Sequence, residues 1–450
     1  MKMFGTNGIR GVANDYLDCE LALRVGKAIA KVMGPGPVAI AKDTRLSSDM
    51  VRSAVSAGLM SMGVDVLDLG MVPTPALQYY VRTHPEVTAG VMITASHNPP
   101  EFNGIKCISS DGTECSHEEE SAIEDAYDCD LACTTWDHVG SVRSVTGAGE
   151  DYIDAVISKV DVEAIRSAGL TVCLDCANGA SVNTTPQLLR RLGVRTITLN
   201  ANPDGMFPGH YSEPTEENLS DLKRMVVEFD ADLGIAHDGD ADRVVFITGS
   251  GRYVAGDKSL ALLARRMVMS NGGSGEVVTT VATSSLVGDV VSSAGGDVEL
   301  TAVGSPVVAR RMIEDGGIFG GEENGGLIFA DHQFCRDGAM GAARMLESII
   351  RDGDLDSQLD SLPVYHTVKD AIECDPSVLG TMVDRIAELH KGEDANRMDG
   401  LRFDYDDGWV LLRPSGTEPK FRIYSESRDP SIARRRADEF KEEFRALSGV

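Results

Sequence analysis

Three carboxylates stand at every second position in Asp238-Gly-Asp-Ala-Asp-Arg243, so Asp238, Asp240 and Asp242 are separated only by small residues. Such spacing lets the backbone wrap tightly and aim oxygens at one hard cation. An EF-hand is excluded, because its sixth position would be Arg243 rather than Gly and its twelfth Gly249 rather than Glu. Three carboxylates leave the shell incomplete, and magnesium completes it with water and phosphate oxygens. A solvated acidic turn is the plain alternative. Three acids crowded behind the apolar run Leu233–Ala236 would, however, repel one another without a cation.

A second loop runs Thr94-Ala-Ser-His-Asn-Pro-Pro-Glu-Phe-Asn-Gly-Ile-Lys106. Ser96 follows an apolar strand, which would place its hydroxyl at the strand's carboxyl end, where α/β sheets bind ligands. Ser, Asn, Pro and Gly also simply make turns, but a turn does not require the adjacent His97 or Lys106. The hydrolase elbow G-x-S-x-G is absent from the chain, which counts against acyl transfer. In a third loop, Arg413-Pro-Ser-Gly-Thr-Glu-Pro-Lys-Phe-Arg422, two arginines bracket Ser415, Gly416 and Thr417. Guanidinium forks, hydroxyls and a glycine N–H are the groups that hold a phosphate dianion. The nucleotide loop G-x-x-x-x-G-K-[ST] is absent. Gly320-Gly-Glu-Glu-Asn-Gly-Gly326 offers carboxylates and a carboxamide that suit sugar hydroxyls, and equally suit a turn.

These loops need a frame, and the flanking patterns supply one. Val38–Ala41 reads as a strand, Ser48–Met62 as a helix with Val51, Val55 and Leu59 on one face, and Val64–Leu69 and Gly90–Thr94 as further strands. This β-α-β pattern restarts at Leu170–Asp175 and at Glu276–Val281, each time with an apolar strand running into a glycine-rich polar loop. The expectation is three tandem similar α/β domains, 1–147, 148–250 and 251–365, followed by a smaller α+β domain, 366–450. A chain of 450 residues suits about three or four domains.

Asp+Glu outnumber Lys+Arg by 70 to 42, giving a net charge of −28. Such a surface repels nucleic acid and anionic membranes, so neither is an expected partner. Arg is much commoner than Lys. An acidic, lysine-poor surface suits a high-salt cytoplasm, where screening removes self-repulsion. The first residues lack a basic segment followed by an apolar one, and no run approaches a membrane span, so a cytoplasmic location is expected. Nine cysteines, an odd number, point to a reducing compartment. Cys173 and Cys176 have metal-ligand spacing and Cys129 and Cys133 form a looser pair, but Leu170–Asp175 reads as an apolar strand with core cysteine.

Taken in order, from Phe4-Gly-Thr-Asn-Gly-Ile-Arg-Gly11 to Arg413–Arg422, the motifs resemble the α-D-phosphohexomutase superfamily along the whole chain. The archaeal-type phosphoglucosamine mutase and phosphomannomutase branch is most similar, with Gly-Glu-Glu-Asn-Gly-Gly as the sugar loop. The resemblance implies four domains around a central cleft, each giving one loop. It implies Ser96 as phosphoserine and, with a phosphoserine oxygen, Asp238, Asp240 and Asp242 as Mg²⁺ ligands. Glu322 and Asn324 match its sugar contacts. Arg413, Ser415, Gly416, Thr417 and Arg422 match its phosphate clamp. Arg10, His97, Lys106 and Arg243 match charged residues around the reacting phosphate. Two departures stand out: many bacterial members carry Ser in place of Asn324, and Ser305 lies where His or Asp is common.

The implied reaction interconverts a hexose 6-phosphate and its 1-phosphate through a bisphosphate. Glucosamine phosphate is the expected sugar, with mannose or glucose phosphate as the alternative. His97 or Lys106 would move the hydroxyl proton. A metal-dependent phosphatase would not need the Arg413–Arg422 clamp, and a sugar-phosphate-binding protein would not need a serine aimed at a metal. The oligomeric state is not readable from the residues.

Overall fold

The computed structural model describes residues 3–5, 7–415 and 420–448. Gly416 and Thr417, expected in the phosphate clamp, lie outside the described residues. The chain forms two compact units, Met1–Ser259 with Asn324–Asp360, and Leu260–Glu323 with Ser361–Val450.

The first unit opens with a six-stranded sheet in the order Ile9–Val12, Phe102–Ser109, Ala89–Ile93, Val38–Lys42, Val66–Met71, Val142–Ser144. Its middle strands are parallel, while Phe102–Ser109 runs antiparallel to Ala89–Ile93 and to Ile9–Val12. The expected helix forms at Ser48–Ser61 and buries Val51, Val55 and Leu59. It packs backbone to backbone on Cys19–Met33: a Cβ on Gly58 would lie 2.1 Å from the Leu23 carbonyl oxygen, so a larger residue would force the helices apart. Ala89–Ile93 is buried along its whole length. That explains its uninterrupted apolar sequence and fixes Ser96 just beyond its end.

One expectation needs correcting. Lys106, read as the end of the serine loop, lies within the strand Phe102–Ser109. Pro99 and Pro100 suggested an irregular stretch, but the chain turns there and re-enters the sheet at once. Gly104 permits this, since a Cβ at that position would meet the Thr94 carbonyl oxygen at 2.6 Å.

A second sheet in the same unit orders Tyr253–Val254, Val244–Thr248, Leu233–His237, Thr171–Asp175 and Arg195–Leu199. Leu233–His237 and Val244–Thr248 are antiparallel, fully buried, and in register at His237 and Val244. The acidic loop 238–243 is therefore a hairpin turn between two core strands. The segment Asn324–Asp360 adds the hairpin Leu327–Phe329 and Gln333–Arg336, then the helix Gly338–Asp352, capped by Asp337, which accepts from the Met340 amide at 2.9 Å.

In the second unit, Glu276–Thr280 pairs in parallel with Asp297–Thr301 and with Phe319–Gly321, and the helices Ser285–Ser293 and Ser305–Asp315 make the crossovers. The C-terminal part is an antiparallel sheet ordered His366–Glu373, Lys420–Ser427, Gly408–Pro414, Leu401–Tyr405, Ala395–Asn396. The helices Pro376–Leu389 and Pro430–Ser448 supply part of its core, which is built around Phe403, Phe421, Phe440 and Phe444. This matches the expected α+β character. Among the described residues no helix is long and apolar enough to cross a membrane.

Candidate active site

Ser96 leaves the end of its strand in the left-handed region, with φ of 53°. A non-glycine residue holds that conformation only when its surroundings enforce it. Here the Ser96 amide donates to Thr94 Oγ1 at 2.9 Å, and its Oγ donates to Asp238 Oδ2 at 2.7 Å. The acidic hairpin comes this close because of Gly239, on which a Cβ would lie 2.5 Å from the Ser96 carbonyl oxygen. His97 Nδ1 is 3.4 Å from Ser96 Oγ.

Asp238, Asp240 and Asp242 are buried, with ligand oxygens all within 4.8 Å of one another, and form the one such group of three among the described residues. Asp240 Oδ2 accepts from Thr74 Oγ1 at 2.6 Å and from Lys106 Nζ at 2.9 Å. Asp242 Oδ2 accepts from the same Nζ at 3.0 Å and from Arg336 at 2.6 Å. The other oxygens, Oδ1 of Asp240 and Oδ1 of Asp242, are buried without a hydrogen-bond partner. Buried oxygens of that kind are costly unless something binds them. Asp238 is pushed up to about 8 by burial and by the charges of Asp242 and Asp240. Burial would also raise Asp240, but the Lys106 ammonium and the Thr74 hydroxyl hold it below the carboxylate range. Two unpartnered oxygens and a third carboxyl that cannot ionise easily beside them fit a divalent cation.

The basic groups divide by role. Lys106 is fully buried, which alone would lower its pKa, but Asp240 and Asp242 raise it, so it stays charged. Arg10 donates to Asn98 Oδ1 at 2.9 Å and lies 3.4 Å from the Ala95 carbonyl. Arg243 is mostly buried and stands 3.9 Å from Glu213. Burial, then Arg243 and Arg10, depress His97 to about 2, leaving a neutral imidazole.

The first unit thus gathers Ser96, Arg10, His97, Lys106, Asp238, Asp240, Asp242 and Arg243. It also holds Asn324, whose Oδ1 accepts from the Gly326 amide at 3.0 Å and shapes its own turn. Glu322, Arg413, Ser415 and Arg422 belong to the second unit. There Glu322 is buried and Glu323 pairs with Lys369 at 3.3 Å. Arg413 and Arg422 sit directly opposite each other on adjacent strands. Arg413 forks onto Asp399, at 3.2 and 3.0 Å. Like charges placed opposite one another repel, and the Asp399 carboxylate offsets part of that repulsion.

Sequence reasoning missed Arg45, Thr74, Ser212 and Arg336. Asp43-Thr-Arg45 directly follows a predicted strand, the same signal that singled out Ser96. Thr74, Ser212 and Arg336 lie in segments with no motif. Cys173 lies buried in its apolar strand, and burial pushes the thiol of the equally buried Cys176 up to about 12.

The chain resembles known proteins along almost its whole length. The family described as phosphoglucomutase/phosphomannomutase matches through its alpha/beta/alpha domain I at residues 1–131, domain II at 150–251, domain III at 255–365 and its C-terminal domain at 374–443. A protein of Methanopyrus kandleri named probable phosphoglucosamine mutase is 46% identical over 98% of this chain and 97% of its own. A Thermococcus kodakarensis protein named phosphoglucomutase/phosphomannomutase is 42% identical over 96% of each chain. The crystal structure of a phosphoglucomutase/phosphomannomutase family protein from Burkholderia thailandensis superposes with a TM-score of 0.88 at 27% identity, covering 99% of this chain and 97% of that one. With three similar α/β domains, a smaller C-terminal domain and relatives of this closeness, the chain belongs to the phosphoglucomutase/phosphomannomutase family and is an archaeal-type phosphohexomutase, an intramolecular phosphotransferase.

Proposed function

We propose that this phosphohexomutase interconverts glucosamine 6-phosphate and glucosamine 1-phosphate through a phosphorylated Ser96, with Mg²⁺ held by Asp238, Asp240 and Asp242. The observation that carries the reading is Ser96 Oγ, fixed by a left-handed backbone 2.7 Å from a buried carboxylate whose neighbours leave two oxygens unpartnered. When bound, the cation would neutralise charge on the phosphoryl oxygens.

The chain's own residues do the rest. Phosphoserine 96 gives its phosphoryl group to the sugar's free hydroxyl, and the bisphosphate then returns its other phosphate to Ser96. Such transfer depends on position and charge more than on covalent help. Lys106, kept protonated by Asp240 and Asp242, supplies fixed positive charge rather than a proton acceptor. Arg10 and Arg243 add to it. His97 stands beside Ser96 Oγ with Nδ1 at 3.4 Å, a neutral imidazole placed to orient the hydroxyl, and its depressed pKa makes it a weak proton acceptor. Arg413 and Arg422, with Ser415, Gly416 and Thr417, hold the phosphate that is not reacting.

The choice of glucosamine rests on the similarity to the Methanopyrus protein and on Glu322 of the sugar loop, with Asn324 as a hydroxyl contact. A carboxylate facing the C2 ammonium gains about 1.5–3 kcal/mol over a hydroxyl partner when shielded from water. That corresponds to a preference of about ten- to a hundredfold. The Thermococcus relative's name favours a second reading, mannose or glucose phosphate. The test measures kcat/KM for the 6-phosphates of glucosamine, mannose and glucose with magnesium, at low and at molar salt, with peptide mass spectrometry of Ser96. Glucosamine phosphate should lead, with phosphate on Ser96. A tenfold advantage for mannose or glucose phosphate moves the assignment to that sugar, and release of inorganic phosphate instead of isomer marks a phosphatase.

A further inference from the structure

Ser96 holds a left-handed backbone at the start of a turn that no regular secondary structure supports. One side chain bonds four main-chain carbonyls of that turn. Arg45 lies three residues beyond the neighbouring strand Val38–Lys42 and is 1% exposed. Its NH2 group donates to the carbonyl of Ser96 at 2.9 Å and to that of Asn98 at 2.7 Å. Its NH1 group donates to the carbonyls of Pro99 at 2.5 Å and Phe102 at 2.9 Å. Its Nε donates to Asp43 Oδ2 at 3.0 Å. All three guanidinium nitrogens are thus used, four donations going to main-chain oxygens of one loop.

The carboxylate that orients this fork is itself fixed. Asp43 Oδ2 also accepts from Thr94 Oγ1 at 2.7 Å, and Oδ1 from Ser48 Oγ at 2.7 Å and the Arg45 amide at 3.0 Å. Thr94 Oγ1 in turn accepts the Ser96 amide. Asn98, whose carbonyl Arg45 holds, presents Oδ1 to Arg10. One planar group therefore sets both the nucleophile and a basic residue beside it.

We infer that Arg45 is a positioning residue for phosphoryl transfer: with Asp43 it holds the loop 96–102 so that Ser96 Oγ faces Asp238, and it touches no substrate. The inference rests on Ser96 as phosphoryl carrier. Only a planar fork can serve diverging carbonyls at once, so lysine, a single point charge, is not a substitute despite its charge. A displacement of about 1 Å at a reacting atom costs on the order of a hundredfold in rate.

The test uses the full-length protein with R45K and D43N, the latter keeping the volume but removing the charge that orients the fork. Circular dichroism and thermal unfolding establish that each variant folds. Expected is a fall in kcat of about a hundredfold in R45K, with KM changed less than threefold. Phosphorylation of Ser96 by a hexose bisphosphate should slow in parallel, and amide hydrogen exchange should quicken over residues 96–103 but not over the acidic hairpin. D43N should shift the same quantities in the same direction by less. A folded R45K with kcat within threefold of the parent overturns the inference, as does a rise in KM that accounts for the whole loss. If neither variant folds, Arg45 serves the fold at large and the inference also fails. If the parent protein never takes phosphate on Ser96, the phosphoserine reading falls, while the exchange data still decide whether Arg45 orders the loop.

Discussion

The serine–aspartate centre and the arginine pair of the C-terminal sheet both crowd like charges, and they manage them in opposite ways. Around Ser96, three carboxylates are buried, and each is met by a partner placed by the fold: the Arg243 amide and Ser96 for Asp238, Thr74 and Lys106 for Asp240, Lys106 and Arg336 for Asp242. Arg413 and Arg422 instead face each other on adjacent strands and are only partly buried, with the Asp399 carboxylate held against Arg413. Buried charges without a fixed partner are ruinous, so the reacting centre has to be built in advance. A partly exposed pair with one carboxylate beside it costs less to hold, because solvent and salt screen what Asp399 does not offset. Under the proposed mechanism the contrast suits the chemistry: the serine would have to meet its target in one geometry, whereas the clamp would have to accept either end of a bisphosphate.

The sharpest way to break this contrast is S96A. A centre organised in advance should lose turnover by a factor on the order of 10⁴ or more, while the melting temperature stays close to the parent's, because Asp238 loses the hydroxyl's hydrogen bond but keeps that of the Arg243 amide. Measurable turnover near the parent rate would remove Ser96 from the mechanism. Next in size is D240N, expected to cost about 10²–10³-fold in kcat. Chelation should stop the parent enzyme and magnesium should restore it. At a hundredfold excess over Kd, magnesium should stabilise the parent by about 2.7 kcal/mol and D240N by less than half of that. An equal magnesium shift in both proteins would mean that the acidic hairpin is not the metal site.

What the residues disclosed in advance divides along the same line. The acidic hairpin and the serine loop were legible because their chemistry is local: three acids at alternate positions, or a serine after an apolar strand, can be read within a dozen residues. Their partners were not. Lys106 looked like part of a loop because Pro99 and Pro100 hide the return to the sheet, and Thr74 and Arg336 reach Asp240 and Asp242 from segments 166 and 94 positions away. The repeated β-α-β pattern and the α+β ending were visible in hydrophobic periodicity, which is local too. Several helices were not singled out, among them Cys19–Met33 and Gly338–Asp352. Both carry glycine in their interiors, which weakens the helical signal while serving close packing.

A moderate effect tests the exposed side of the contrast. R422Q removes one of two opposed charges, of which Arg413 is already offset by Asp399, so in phosphate-free buffer its stability should stay within about 1 kcal/mol of the parent's. Its KM for sugar phosphate should rise by about ten- to a hundredfold, with kcat changed far less, and added inorganic phosphate should stabilise it less than the parent. A loss of stability above about 1 kcal/mol in phosphate-free buffer would show the pair to be structural instead. Salt should separate the regions as well. With a net charge of −28, the melting temperature should rise from low to molar salt while phosphate binding by the clamp weakens. A melting temperature indifferent to salt would contradict the high-salt reading of the composition.

The smallest effect expected concerns His210, which lies behind the reacting centre. Its Nε2 is 3.1 Å from Asp175 Oδ2 and its Nδ1 is 2.6 Å from the Tyr211 carbonyl, so both ring nitrogens face acceptors and the imidazolium can donate twice. Burial alone would lower its pKa, but the hydrogen bond and charge of Asp175 outweigh burial and raise it. A histidine raised in the folded state contributes stability that is fully present below its unfolded value of about 6.5 and is lost as pH rises through the folded value. His390 is raised in the same way, by Glu443 and Glu393, so the parent's pH dependence sums at least these two groups. Comparing H210Q with the parent isolates one of them. The difference in melting temperature should be largest near pH 6 and should shrink toward pH 9. A difference constant with pH would mean that His210 acts by packing alone. Tyr211 leads into Ser212, whose Oγ is 3.4 Å from the Ser96 carbonyl and 3.3 Å from that of Asn98. Arg45 grips the same two carbonyls more closely. Loosening His210 should therefore leave kcat within about threefold of the parent, far less than the loss expected from disturbing Arg45.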